Sequence, residues 1–230
     1  MREILERGLA ELGVDAACAP GLTAFSQLLL EKNKVMNLTA ITEPEDVARL
    51  HLLDSLYLLK SGGLGKAVVD VGSGAGFPGM PLAIAAPSIE VTLLDSLGKR
   101  IAFLEEAAGA LGIQNVKCVQ ARAEEFAGEK RESFDGAVSR AVAALPVLCE
   151  LCLPLVKVGG VFVAMKSSHT EEEIEQAKRA VKLLGGRIVS VEDYRIPTTE
   201  VVHRLVKVEK ISPTPKKYPR RFALIKKQPL

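Results

Sequence analysis

The chain has 230 residues, 48% hydrophobic and 25% charged, which allows one α/β domain of ordinary size with a small appendage. With no Trp and 4% aromatics the core must be aliphatic, and four cysteines are too few for a disulfide scaffold, so reduced thiols in a cytoplasmic protein are expected. Formal charge is only +2, but the last stretch concentrates cations: Lys210, Lys216, Lys217, Arg220, Arg221, Lys226 and Lys227, with no acid among residues 210–230.

Residues 1–62 read as a helical segment without strands. Ile4, Leu5, Leu9 and Leu12 recur at helical spacing until Gly13 stops the run. A second helix is expected over 22–35, and a third begins near Thr42-Glu43-Pro44, with a capping hydroxyl and Pro in the first turn. His51 and Asp54 share a face of that third helix. Two candidate ligands are too few for a metal site, so a polar contact joining this segment to the rest of the chain is expected, and no metal. The opening residues mix charges and lack the apolar core of a signal peptide.

From 63 to 211, strands and helices alternate. Strands are expected over 67–71, 90–94, 116–119, 134–138 and 161–165. Helices are expected over 80–85, 100–111 and 145–156 and from Thr170, and the pattern closes with an antiparallel pair over 187–191 and 204–208. This order predicts an α/β fold: a mostly parallel sheet with helices on both faces and a C-terminal antiparallel pair, preceded by the helical segment. The apolar region 141–165 is interrupted by Pro146, Glu150, Pro154, Lys157 and Gly159-Gly160, so it reads as a buried helix and a strand, not a membrane span. Cys149 and Cys152 lie in that helical run and are expected to be buried and inert. Residues 212–230 form a basic, Pro-containing tail, read as a loop or docking segment.

The informative stretch is Val68-Val69-Asp70-Val71-Gly72-Ser73-Gly74-Ala75-Gly76-Phe77-Pro78-Gly79, a strand, a glycine turn and a helix start. Glycines here allow positive φ and the close approach of a nucleotide-like ligand. Two cofactor classes compete. Gly74, Gly76 and Gly79 satisfy a dinucleotide pattern, with Asp95 about 20 residues on for a ribose. Gly72, Gly74 and Gly76 with Asp70 upstream read instead as an S-adenosylmethionine loop, and an acid beside it suits a sulfonium or ammonium better than a pyrophosphate.

The stretch 70–79, together with Asn37-Leu38-Thr39, His51-Leu52-Leu53-Asp54-Ser55-Leu56, Asp95, Lys99-Arg100, Arg122-Ala123-Glu124, Phe134-Asp135 and Ser139-Arg140-Ala141, resembles the bacterial small-subunit rRNA guanine-N7 methyltransferases, the glucose-inhibited division protein B family. The resemblance covers most of the chain in order. It implies a Rossmann-like S-adenosylmethionine-dependent enzyme that methylates N7 of a guanine in the decoding region of 16S rRNA, in the 30S subunit or its precursor. It also implies that Gly72 and Phe77 line the cofactor loop, Asp95 holds the ribose, and Ala123 and Glu124 contact the adenine. Arg140 would lie at the cofactor–substrate junction, positioning substrate; a plain salt bridge is the competing reading of the residue itself. Lys166, Arg204, Lys216, Lys217, Arg220 and Arg221 are the candidate RNA contacts. One departure is visible: Phe222-Ala223-Leu224-Ile225 stands where the family's tail often carries Gly-Thr-Pro. Transfer to N7 needs no obligatory general base, in keeping with only three histidines. A monomer without membrane attachment is expected. The alternatives are a methyltransferase of another substrate, an NAD-dependent oxidoreductase, and an RNA-binding module without activity.

Overall fold

A computed structural model describes residues 1–140 and 142–230. Helix α1 (Arg2–Leu12) closes on Gly13 at φ 68°, a left-handed cap that glycine adopts without Cβ strain. Helix α2 (Ala19–Met36) runs slightly longer than its apolar pattern. The third helix is one rod in three parts: α3 (Pro44–Val47), a π-helical segment over Ala48–Leu53, and α4 (Asp54–Ser61). Its cap is Glu43, with no side-chain hydrogen bond, so Thr42 does not serve as the capping hydroxyl.

The sheet has seven strands: β1 (Ala67–Val71), β2 (Glu90–Asp95), β3 (Val116–Gln120), β4 (Phe134–Arg140), β5 (Val156–Ser167), β6 (Gly186–Arg195) and β7 (Val202–Lys210). Their order is β3-β2-β1-β4-β5-β7-β6. The first five pair in parallel, while β7 runs antiparallel to both β5 and β6. Between them lie α5 (Gly79–Ala85), α6 (Gly98–Ala110), α7 (Ala123–Glu129), α8 (Leu145–Cys152) and α9 (Glu171–Leu183), and α10 (Phe222–Lys227) follows the sheet. The helix expected to reach 156 ends at Cys152, and a 3-10 turn over Leu153–Leu155 contains Pro154, which has no N–H to continue an α-helix. Strand β5 starts at Val156 and bulges: Phe134 pairs with Val156 but Gly136 with Val161.

Strand alternation divides the core in two. Val68, Val91, Leu93, Val138 and Val163 face a cluster with Leu5, Leu9, Phe25, Leu29, Leu52 and Leu56 of the N-terminal helices. Val69, Val71, Leu94, Ala137, Phe162 and Ala164 face the other cluster, with Leu148, Ala177 and Ile225. The helical segment thus shares its core with one face of the sheet. No helix among the described residues is long and apolar enough to cross a membrane.

The tail is folded onto the second face. Lys210, fully buried, donates to the carbonyls of Leu153 (2.6 Å) and Val156 (3.1 Å) and pairs with Glu132 at 3.0 Å. Arg131 donates to the carbonyls of Thr214, Pro215 and Tyr218. Arg220 forms a two-pronged pair with Glu150, Nε to Oε1 at 2.8 Å and Nη2 to Oε2 at 2.6 Å. Glu150 is fully buried in α8, which explains a carboxylate inside an apolar helix. Removing one partner of a buried pair leaves the other uncompensated. Glu150→Gln should therefore lower stability by about 3 kcal/mol, read as a fall in the urea unfolding midpoint at unchanged slope.

Candidate active site

Strand β1 has β2 on one side and β4 on the other, so the connections leave it in opposite directions and a crevice opens at the carboxyl ends of the strands. A cleft of about 580 Å³ lies there. Its floor is the loop after β1, and its sides come from the ends of β2, β3 and β4. Leu38, Thr39 and His51 reach it from the helical segment, and Phe222 from the tail.

The glycine loop is tied to its neighbours. The N–H groups of Gly72 and Ser73 donate to the Leu94 carbonyl at 2.8 and 3.1 Å, and Ser139 Oγ donates to the Val71 carbonyl at 2.8 Å. Gly72 has φ 77°, and a Cβ there would come within 2.6 Å of Val142 Cγ2. Asp95, at the end of β2, accepts the Gly74 N–H on Oδ2 at 2.9 Å and the Leu97 N–H on Oδ1 at 2.9 Å. Arg100 also reaches Oδ2, at 3.2 Å, and lines the cleft. A carboxylate has about four acceptor sites and Gly74, Leu97 and Arg100 take three, so Asp95 retains about one for a ligand hydroxyl.

Of the expected cofactor residues, Gly72, Gly74, Phe77, Asp95, Ala123, Glu124 and Arg140 line the cleft. Asp70 and Gly76 do not. Asp70 lies fully buried behind the loop, with Oδ2 accepting the Gly79 N–H at 2.9 Å; among the described residues Oδ1 has no partner. A Cβ on Gly76 would approach Leu104, Met80 and Phe25, so this glycine makes room for the core. These placements also bear on the cofactor class. The amides of Gly74 and Gly79, positioned as a dinucleotide site would offer them to a pyrophosphate, are already held by the carboxylates of Asp95 and Asp70.

Arg140 lines the cleft and forms a largely buried ion pair with Asp54. Its Nη1 donates to Asp54 Oδ2 at 2.8 Å and to the Leu50 carbonyl at 2.9 Å, and Nη2 faces His51 Nδ1 at 3.0 Å. The guanidinium sits 5.1 Å from the centre of the Phe77 ring, which His51 stacks upon at 4.5 Å. Burial, and then the Arg140 charge, lower the His51 pKa to about 4, so its imidazole is neutral near pH 7. With a guanidinium at Nδ1, the ring proton lies on Nε2, which donates to Thr39 Oγ1 at 2.8 Å. Asp54 is fully buried and also accepts from Tyr194 (2.6 Å) and His203 (3.0 Å). Burial would push its pKa up, but those bonds and the Arg140 charge hold it below the usual carboxylate range.

The expected RNA contacts separate into two groups. Lys166 pairs with Glu173 at 2.8 Å, Arg204 with both Asp193 and Glu171, and Arg220 with Glu150. These three are internal staples, because each cation has a carboxylate within reach before any phosphate arrives. Lys216, Lys217 and Arg221 are exposed. Sequence reasoning did not single out Arg122, Leu151 or Phe222 as site residues, and all three line the cleft. Only Arg122 carried a signal, as part of a family-like triplet.

The family described as GidB, rRNA small subunit methyltransferase G, matches residues 19–202. The chain belongs to this methyltransferase family. The chain is 46% identical to the ribosomal RNA small subunit methyltransferase G of Alkaliphilus metalliredigens, with 99% of this chain and 98% of that protein covered. It is 44% identical to the protein of that name from Clostridium tetani, covering 95% and 93%. Among solved structures, M. jannaschii TYW2 in complex with AdoMet aligns with a TM-score of 0.53 at 20% identity, over 65% of this chain and 71% of that one. The antibiotic-resistance methyltransferase Kmr aligns at 0.54 and 19%, over 66% and 90%. These two likenesses show a shared methyltransferase fold.

Burial raises the Asp70 pKa to about 7 from an ordinary 3.8. The folded state thus binds a proton that the unfolded chain has released. Asp70 contributes stability that is complete below about pH 4 and lost as pH rises through about 7. Asp70→Asn, which keeps an acceptor for Gly79, should therefore gain on the wild type between those pH values, by at most about 1.4 kcal/mol per pH unit, measured by urea unfolding across pH.

Proposed function

We propose that the chain transfers a methyl group from S-adenosylmethionine to N7 of one guanine in the decoding region of 16S rRNA, acting as a cytoplasmic monomer on the 30S subunit or its precursor. The observation that carries this reading is the cleft at the strand order reversal, where a bare glycine loop and the Asp95 carboxylate meet in a family of rRNA methyltransferases. Asp95 accepts a ribose hydroxyl, Gly72 and Gly74 leave room beside the methionyl portion, and Ala123 and Glu124 flank the adenine.

S-adenosylmethionine, when bound, supplies a methyl whose bond to sulfur breaks as the N7 lone pair attacks, leaving a neutral thioether and a cationic guanine. N7 carries no proton, so the protein has none to remove. His51 fits that requirement: both ring nitrogens are engaged, by Arg140 and Thr39, and neither is poised as a base. Asp54 neutralises Arg140, so the guanidinium can hold Phe77 and substrate in place without repelling a sulfonium. The exposed Lys216, Lys217 and Arg221 supply phosphate contacts, and a stacked guanine would have to be turned out at a cost of a few kcal/mol.

The deciding experiment is transfer of labelled methyl from S-adenosylmethionine to purified 30S subunits lacking the modification, with the product nucleotide mapped. N7-methylguanosine at one decoding-region position is expected; a labelled base of another kind would overturn the assignment. Asp95→Ala should weaken S-adenosylmethionine binding by roughly tenfold to a hundredfold, read by calorimetry. Lys216→Ala and Lys217→Ala should leave that affinity intact while lowering the salt slope of subunit binding by roughly one each.

A further inference from the structure

The tail reaches the cleft through one side chain. Phe222, at the start of α10, lines the cleft beside Arg122, Ala123 and Glu124, the residues that follow β3. The Arg122 guanidinium stands 5.7 Å from the centre of the Phe222 ring. Leu151 of α8 lies on the same side, and Phe222 is half-buried against that second core cluster. Its position is held from both directions. Upstream, Arg220 is clamped by buried Glu150; downstream, Ile225 is fully buried. A mobile tail would need none of these anchors, whereas an aromatic ring that must be placed to within a fraction of an ångström needs a rigid support.

We propose that Phe222 is a cofactor-positioning residue, forming with Arg122 an aromatic and cationic wall at the adenine end of the cleft. This rests on the reading of the cleft as an S-adenosylmethionine site. An adenine has two π faces and a polar edge, so an aromatic ring with a guanidinium beside it recognises it by stacking and dispersion without demanding a proton donor. The basic tail then has two functions divided by residue: its exposed cations face solvent and RNA, and Phe222 faces the cofactor. The site thus extends into the tail, so nucleoside affinity depends on a segment outside the sheet.

The test is calorimetric binding of S-adenosylhomocysteine and of adenosine to the full chain and to Phe222→Leu, Phe222→Tyr and Leu224→Ala. Leucine keeps the apolar packing and removes the aromatic face, and Leu224 is exposed on the same short helix. Phe222→Leu should weaken both ligands by about tenfold with an unchanged melting temperature, Phe222→Tyr should restore affinity, and Leu224→Ala should bind as the wild type does. Equal affinities for Phe222→Leu and wild type would overturn the proposal while leaving the cofactor assignment standing. Loss of S-adenosylhomocysteine affinity with adenosine affinity retained would also overturn it, since the contact would then lie at the amino-acid end. Failure of the wild type to bind S-adenosylhomocysteine would remove the underlying reading and the proposal together.

Discussion

A single buried carboxylate organises this molecule. Asp54 sits in the π-interrupted third helix and accepts hydrogen bonds from Arg140 of β4, Tyr194 of β6 and His203 of β7. A lone buried carboxylate would be costly to ionise, so it must be met by donors, and each donor it recruits comes from a different strand. The helical segment is thereby fixed against the sheet at the point where β4 ends and the cleft begins. Arg140, held by Asp54, in turn holds the face of Phe77 and one nitrogen of His51. The polar chemistry of one wall of the cleft therefore descends from one residue outside the sheet.

The opposite wall depends on a second buried carboxylate. Glu150 in α8 draws Arg220 inward, and Lys210 and Arg131 bind carbonyls and an acid along the way. Charges that look available for RNA when counted along the chain are used to anchor the chain to itself. Among the described residues, the tail cations left exposed are Lys216, Lys217, Arg221, Lys226 and Lys227. A net charge of +2 is thus a poor guide to where the exposed cations gather.

Much of the architecture is legible in the sequence because it rests on local periodicity. The parallel strands, the C-terminal pair and the first two helices follow from alternation, helical spacing and glycine stops. The misses have physical causes. The helix expected over 145–156 runs too long because Pro154 and the start of β5 both lie in one apolar run, where hydrophobicity does not distinguish helix from strand. Helix α10 was hidden because six residues in a basic tail carry no helical pattern that outweighs Pro and Lys. Asp70 and Gly76 belong to a motif that spans the thickness of the loop, and spacing does not tell its cleft side from its core side.

The sequence by itself determined the order of elements, the glycine loop after β1, the acid at the end of β2 and the family to which these belong. Each of those is a relation between residues near one another in the chain, expressed through backbone preferences that neighbours dictate. Only the tertiary structure decided which charges are spent internally and which face outward, that His51 is neutral beside Arg140, and that Phe222 lines the cleft. Those outcomes depend on long-range pairing and desolvation: Asp54 with Arg140, Glu150 with Arg220 and Lys210 with Glu132 lie far apart in sequence. A charge takes its role from the partner that burial brings to it, and the order of residues does not contain that partner's distance.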